Sequence, residues 1–96
     1  MTTLQTFSEK LKQRRSQMLI HSYLYYLLDN PIISDEKWQE WANELADMQK
    51  KYPNLCKINF YDEDFEGWDG SSGYYLSRDA WVAEKAMKYL TTVDKP

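Results

Sequence analysis

The stretch that decides the fold runs from residue 21 to residue 35 and reads HSYLYYLLDNPIISD. Its first half contains neither glycine nor proline, and it continues a helical pattern of apolar residues from the N-terminal side. Asn30-Pro31 then ends the helix, because the residue before a proline avoids the helical region. Ser34 follows as a good N-cap, and Asp35 stands in the first turn of the next helix, where the helix dipole favours an acid. This short connection predicts two helices side by side as a helical hairpin.

Apolar side chains recur at helical spacing on both sides of this turn. The first periodic stretch, from about Leu4 to Asp29, predicts one long amphipathic helix. The second runs from Ser34 to about Lys50, where basic residues suit a helix C-terminus. Its apolar stripe is formed by Trp38, Trp41, Leu45 and Met48.

The pattern changes after Cys56. Residues 57–61 alternate loosely between apolar and polar, as a short strand would, and residues 74–76 could form a second strand. The three glycines of the chain, at positions 67, 70 and 73, lie between these two stretches. The sequence therefore predicts a β-like hairpin or an ordered glycine-rich loop.

A final helix is expected from about Arg78 to Thr91, with Ser77 as its N-cap, and the tail from Val93 to Pro96 is expected to be loose. The predicted fold class is mostly α: a helical hairpin, a short β-like glycine-rich segment and a C-terminal helix. We expect a single domain over residues 1–96, with the hairpin in residues 4–55 and the other two elements in residues 56–92.

Composition limits the classes of function. The net charge of −3 argues against an autonomous nucleic-acid binder, so nucleic acid is not an expected partner. The only cysteine, Cys56, excludes an internal disulfide and a multi-cysteine zinc site, and this suits a cytoplasmic protein. No apolar run approaches the roughly 20 residues of a membrane span, and the N-terminus does not resemble a signal peptide.

A resemblance to a known family rests on the stretch quoted above. It resembles the small helical domain at the front of bacterial NAD-dependent DNA ligases, which carries a histidine, a Tyr-Tyr or Tyr-His pair, an Asp-x-Pro turn, an Ile-Ser/Pro-Asp step and a Tyr-Asp pair. The similar features here are His21, Tyr25-Tyr26, Asp29-Asn30-Pro31, Ile33-Ser34-Asp35 and Trp38-Gln39, and further on Glu44-Leu45 and Lys51-Tyr52-Pro53-Asn54-Leu55. The resemblance covers a little over a third of the chain.

The resemblance implies a site for nicotinamide mononucleotide (NMN), the half of NAD that this ligase domain holds. By position, Tyr25 and Trp38 match the two aromatic rings that enclose the nicotinamide, and a flat cation gains from aromatic faces. Asp35 matches an acid of the motif. Tyr26 stands where some ligases have histidine, and Gln39 stands where they have aspartate. NMN or NAD is therefore the expected ligand.

Catalysis by this chain is not expected. The Lys-x-Asp-Gly step that supplies the adenylated lysine of the ligases is missing, since Gly67 precedes Trp68-Asp69-Gly70. The residues 62–73 begin like a calcium loop, but Gly73 stands where a bidentate glutamate is needed, so no metal site is expected. The leading hypothesis is a small non-catalytic binding protein related to this ligase domain, of the kind that fits a phage or mobile element.

Two other interpretations stay open. The chain could be a protein-protein interaction module, an inhibitor or adaptor that has lost nucleotide binding and acts through the acidic loop (residues 61–75). The aromatic residues of this loop could equally form a plug that covers the hairpin and completes its core. A basic group on the first helix, namely Lys10, Lys12, Arg14 and Arg15, leaves DNA binding as a residual possibility, although such groups are usually solvated faces.

Overall fold

The computed structural model describes residues 3–94, with side chains from residue 7 to residue 91. Its elements in chain order are helix α1 (Thr3–Tyr26), helix α2 (Asp35–Lys51), a 3-10 turn (Pro53–Leu55), the one-turn helix α3 (Asp62–Phe65) and helix α4 (Ala80–Asp94). The prediction of a mostly α fold built on a helical hairpin is confirmed.

The turn between α1 and α2 follows the local signals closely. Helix α1 ends at Tyr26, three residues before the predicted end. Asp29 takes a left-handed conformation with φ of 49°, and the Asn30 amide donates to the Leu24 carbonyl at 2.9 Å. Ser34 caps α2 as predicted, because its hydroxyl accepts from the Lys37 amide at 3.0 Å.

The two predicted strands are wrong for the described chain, in which no strand forms between residues 3 and 94. Asn59 and Tyr61 have positive φ angles of 57° and 54°, and left-handed residues interrupt an extended strand. Asp62 stabilises this bend, because its carboxylate accepts from the amides of Ile58 at 3.2 Å and Asn59 at 3.1 Å. Residues 74–76 form a turn instead of a strand.

The predicted cap of the last helix is also corrected. Helix α4 begins at Ala80, and the carboxylate of Asp79 caps it by accepting from the Val82 amide at 3.1 Å. The Tyr61 hydroxyl donates to the same carboxylate at 2.8 Å. Ser77 does not cap the helix, since its amide donates to Asp64 instead. The helix extends to Asp94 and so includes part of the tail predicted to be loose, whereas Lys95 and Pro96 lie outside the described residues.

Helix α1 is the central element, and it packs against both α2 and α4. The larger buried cluster joins α1 to α2, to α4 and to the segment 65–76, and a smaller one joins α1 to α4. The larger cluster contains Leu11, Met18, Leu19, Ala42, Leu45, Phe65, Leu76 and Val82, and the smaller one contains Ile20, Leu24 and Ala86. Within residues 3–94, none of the helices combines the length and apolar character that crossing a membrane requires.

The basic group of α1 is divided between the surface and the interior: Lys10 and Lys12 are exposed, Arg14 is half-buried and Arg15 is buried. Arg15 is only 2% exposed, and its guanidinium donates to Asp62 at 2.7 Å and to the carbonyls of Phe60 and Cys56 at 2.9 Å. Lys10 and Arg14 both pair with Glu44. These contacts engage three of the four charges that a DNA-binding face would present, and the exposed Lys12 lies over the Phe60 ring at 5.3 Å from its centroid.

Candidate functional site

A cavity of about 180 Å³ opens between the end of α1, the interhelical turn and the start of α2. The five residues predicted as a binding site all line it: Tyr25, Tyr26, Asp35, Trp38 and Gln39. The two tyrosines come from the last turn of α1, and the other three come from the first two turns of α2. The helical hairpin therefore brings both halves of the predicted site together.

The cavity combines aromatic surfaces with one acid. The rings of Tyr25 and Tyr26 meet edge to face with centroids 4.9 Å apart, and both remain partly open to solvent. Trp38 faces the same cavity from α2 and is half-buried. Asp35 adds a carboxylate at the exposed rim. A flat ligand with positive charge suits such a lining, because aromatic faces and a carboxylate both favour it.

Gln39 connects the cavity to the acidic loop. Its Nε2 atom donates to the Gly70 carbonyl at 3.0 Å and to Asn43 Oδ1 at 2.9 Å. The two donors on Nε2 are thereby used, and Oε1 is the side-chain atom left to accept a hydrogen bond from a ligand. Ser71, next along the loop, lines the cavity. The loop therefore supplies a third side of the cavity, and no sequence signal had indicated Ser71.

Four further lining residues were not named as ligand contacts, although they lie inside the stretch that carries the resemblance. They are His21, Pro31, Ile33 and Ser34. Their structural roles were visible in the sequence as a helix residue, a turn and a cap. Their place beside the cavity follows from the hairpin geometry, which local patterns do not specify.

The acidic loop lies against the hairpin through two glycines. A Cβ atom at Gly73 would stand 2.1 Å from Ser22 Oγ and 3.1 Å from Trp38 Cζ2, and one at Gly70 would stand 3.0 Å from the Ala42 carbonyl oxygen. Such distances are below van der Waals contact, so only glycine permits this approach. Trp68 of the loop meets the Trp38 ring edge to face with centroids 6.4 Å apart.

These contacts support the interpretation of the loop as an aromatic plug for part of its length. Phe65 is buried in the larger core cluster, and Trp68 packs against that cluster. Tyr74 and Tyr75 do not join it, since both are exposed. The loop thus completes the core with one group of aromatic residues and presents another group to solvent.

His21 lines the cavity and also packs against two further aromatic rings. Its ring lies near those of Trp41 and Tyr89, with centroids at 5.6 and 6.0 Å, and Nδ1 is buried without a hydrogen-bond partner in the described chain. Burial lowers the pKa of His21 from 6.5 to about 4. The imidazole is therefore neutral at pH 7, which supports a packing role over that of a general acid.

This burial predicts a loss of stability in mild acid. Between pH 6.5 and 4 the unfolded chain binds a proton that folded His21 does not, so the free energy of unfolding should fall as the pH decreases, by up to about 1.4 kcal/mol per pH unit. Urea denaturation at several pH values measures the slope. A His21→Gln variant should lack this part of it, and an identical slope in both proteins would contradict the assignment.

The acidic loop offers few free carboxylates. Asp62 pairs with Arg15 at 2.7 Å, Asp64 accepts from the Ser77 amide, and Asp69 accepts from the Ser71 amide at 2.9 Å. In the described part of the chain, no group of three or more metal-ligating side chains comes together. Burial raises the pKa of the Cys56 thiol, so this cysteine is less reactive than an ordinary one.

Residues 4–59 match a family model described as the DNA ligase-like, N-terminal NAD+-binding domain. This chain is 38% identical over 49 residues to a DNA ligase of Thermosipho africanus, 40% identical over 52 residues to one of Fervidobacterium nodosum, and 36% identical over 56 residues to one of Psychrobacter arcticus. These alignments cover 51%, 50% and 58% of the chain. All the residues that line the cavity, except Ser71, lie within the family match.

The chain matches only a small part of these relatives. The aligned residues are 7% of the Thermosipho and Psychrobacter ligases and 8% of the Fervidobacterium ligase. No solved structure gives a significant match. The comparisons therefore concern one terminal domain of much longer proteins, and the match ends at residue 59, before the acidic loop.

Proposed function

Because this chain belongs to the family of DNA ligase-like, N-terminal NAD+-binding domains, we propose that it binds the nicotinamide mononucleotide end of NAD between α1 and α2. The observation that carries this proposal is the shared cavity of Tyr25, Tyr26, Asp35, Trp38 and Gln39. These five side chains, which the sequence resemblance names, all line the same cavity. Surface residues without a shared role are not expected to meet in one cavity.

The cavity suits this ligand in chemistry and in size. Tyr25 and Trp38 offer aromatic faces to the flat, cationic nicotinamide ring, and the Asp35 carboxylate offsets its charge. Gln39 Oε1, which is not used by the contacts of Nε2, would accept a hydrogen bond from the nicotinamide amide group. A volume of about 180 Å³ lies below the roughly 300–1,000 Å³ of pockets that enclose drug-sized ligands, so the cavity fits one ring and its immediate surroundings, not a whole dinucleotide.

We propose that this chain binds without catalysing a reaction. The side chains around the cavity support that interpretation, because His21 has a pKa of about 4 and its Nδ1 has no hydrogen-bond partner among the described residues. A poorly basic, buried imidazole is not suited to general acid-base work near neutral pH. Binding through ring stacking and charge attraction requires no general acid, general base or nucleophile.

Tyr25→Ala is the sharpest test of the binding site. Tyr25 is 44% exposed, so its removal should leave the fold intact while deleting one aromatic wall, and NMN affinity should fall about tenfold. Isothermal titration calorimetry with NMN measures this. Trp38 is less suitable, since it also contacts Gly73 and Trp68 and its loss would mix folding with binding.

Tyr52→Ala is the matched control. Tyr52 is 52% exposed and follows the C-terminal end of α2, away from the cavity. Its variant should bind NMN as the unmodified chain does. Absence of NMN binding by the unmodified chain at millimolar concentration would end the proposal, and so would equal losses in the two variants.

The alternative of an interaction module that acts through the acidic loop has less support. Arg15 neutralises the charge of Asp62, so one loop carboxylate is not available to a partner, whereas Asp64 and Asp69 accept only from backbone amides and keep their charge. The proposal also includes a cytoplasmic location, where nicotinamide nucleotides are used, and an origin in a phage or mobile element. Phage genes beside this gene would support that origin, and a conserved bacterial neighbourhood would count against it.

A further inference from the structure

A row of tyrosine rings leads outward from the cavity. Tyr26 lines the cavity, and its ring meets that of Tyr74 edge to face with centroids 5.5 Å apart. Tyr74 meets Tyr75 in the same way at 5.1 Å. Tyr74 is 50% exposed and Tyr75 is 92% exposed. The row therefore starts inside the family match and ends on a ring that is almost entirely in solvent.

The last two rings stand on a well-fixed turn. Trp68 Nε1 donates to the Ser72 carbonyl at 2.7 Å, and the Tyr74 amide donates to Ser72 Oγ at 3.1 Å. The next residue but one, Leu76, is buried, and its amide donates to the Gly73 carbonyl at 3.2 Å. The backbone on each side of Tyr75 is thus held in place, although the ring itself adds nothing to the core.

A cation lies beside this row. Arg78 Nη2 donates to the Tyr74 carbonyl at 2.7 Å, and the guanidinium carbon lies 4.8 Å from the centre of the Tyr74 ring. Among the described residues, no carboxylate lies within ion-pair distance of Arg78. Its charge is held in position and stays available to an anionic group of a ligand.

We propose that Tyr74 and Tyr75 form a subsite for the adenine ring of NAD, with Arg78 directed at the diphosphate bridge. This inference rests on the proposed function, because it extends the ligand outward from the nicotinamide cavity. The cavity is too small for a dinucleotide, and the ribose-diphosphate bridge of NAD can cover the two ring-to-ring steps from Tyr26 to Tyr75. A base stacks readily on an exposed aromatic ring.

The subsite makes the chain a dinucleotide receptor that uses residues beyond the family match. Tyr74, Tyr75 and Arg78 all follow residue 59, where the match ends. The acidic loop then has two tasks: it closes the side of the nicotinamide cavity with Ser71 and offers a second aromatic platform with Tyr75. One ligand with two flat rings would bridge both.

The test compares NAD with NMN on the full chain by calorimetry. The unmodified chain should bind NAD about tenfold more tightly than NMN. Tyr75→Ala should remove this preference and leave NMN affinity unchanged, and the exposure of the ring means that the fold should be unaffected. Tyr52→Ala, the exposed tyrosine at the far end of α2, should keep the preference.

The outcomes separate the two proposals. If NMN binds and NAD binds no better, the adenine subsite is wrong and the nicotinamide site stands. If NAD is preferred but Tyr75→Ala retains the preference, the subsite lies elsewhere and this assignment is overturned. If neither ligand binds, both proposals fail together.

Discussion

Arg15→Ala should destabilise this protein by about 3–5 kcal/mol, the usual cost of breaking a buried ion pair on one side. The guanidinium is buried and reaches Asp62, the carbonyls of Phe60 and Cys56, and Gln49 Oε1 at 3.1 Å. Its removal leaves these partly buried acceptors without their donor, including the Asp62 carboxylate, whose side chain is 30% exposed. Since a domain of this size is stable by about 5–15 kcal/mol, much of the folded population is at risk.

Urea denaturation measures this effect, and Lys51→Ala provides the matched control. Lys51 forms an exposed pair with Asp47 at 3.2 Å, and such pairs contribute about 0.3–0.5 kcal/mol. Arg15→Lys should lie between the two, because one ammonium group cannot replace the several donors of a guanidinium. A loss in Arg15→Ala no greater than in Lys51→Ala would show that the interior charge network carries little stability.

The hydrogen bonds between Arg15 and Asp62 should also make the stability of the fold depend on pH. Burial alone would raise the pKa of Asp62, but hydrogen bonds from Arg15 and from the amides of Ile58 and Asn59 outweigh it and hold that pKa below its ordinary value. A carboxylate of this kind stabilises the fold above its unfolded pKa, and the contribution disappears as the pH falls through the folded value. Arg15→Ala should reduce that acid-dependent part.

Gly73→Ala should be the second large effect, with a loss of about 3 kcal/mol, the upper range for overpacking a core. The added methyl would meet Ser22 Oγ at 2.1 Å and Ser22 Cβ at 2.9 Å, both on the rigid helix α1. It would also press on Trp38 Cζ2 at 3.1 Å. The acidic loop must then move off the hairpin, so the variant should lose NMN affinity as well as stability.

A double-mutant cycle distinguishes this contact from a general effect of alanine. Ser22 Oγ is buried without a partner in the described chain, so Ser22→Ala alone should cost little. In that background Gly73→Ala should be milder, because the closest contact is gone. Gly67→Ala is the control, since Gly67 has a φ of 71° with no atom within 4 Å of a Cβ and its cost should not depend on Ser22. Strict additivity for Gly73 and Ser22 would refute the contact.

The parts of the fold with local causes could be predicted from the sequence. Ser34 has both the right side chain and the right neighbours for a cap, and the structure confirms it. The strand at 57–61 failed because Asp62 binds the amides of Ile58 and Asn59, a local contact that alternation of polarity does not reveal. Asp79 caps α4 in place of Ser77 because it stands directly before the first helical residue and accepts from the Val82 amide, and Tyr61, 18 residues away, binds the same carboxylate.

The candidate site likewise has residues that the sequence predicts and residues that it does not. The sequence predicts Tyr25 and Trp38 as site residues because they lie in a recognisable family motif. It does not predict Ser71, because Ser71 reaches the cavity only through the close approach of Gly70 and Gly73 to the hairpin. The sequence predicts one solvated face for the basic residues of α1, which holds for the exposed Lys10 and Lys12 but not for Arg15, whose partners are remote in sequence. Asp62 lies 47 residues from Arg15, a separation at which local patterns carry no information.

The contacts of Arg15 also limit which segments of sequence could be exchanged between this chain and its relatives. The family match stops at residue 59, but Arg15 binds Cys56 before that boundary and both Phe60 and Asp62 after it. The boundary of homology therefore runs through the middle of one buried hydrogen-bond network. A chimera that joins a ligase hairpin to residues 60–96 of this protein would need arginine at position 15, or an apolar replacement for the whole network. The region that matches the ligase family and the region that this hydrogen-bond network holds together therefore have different boundaries.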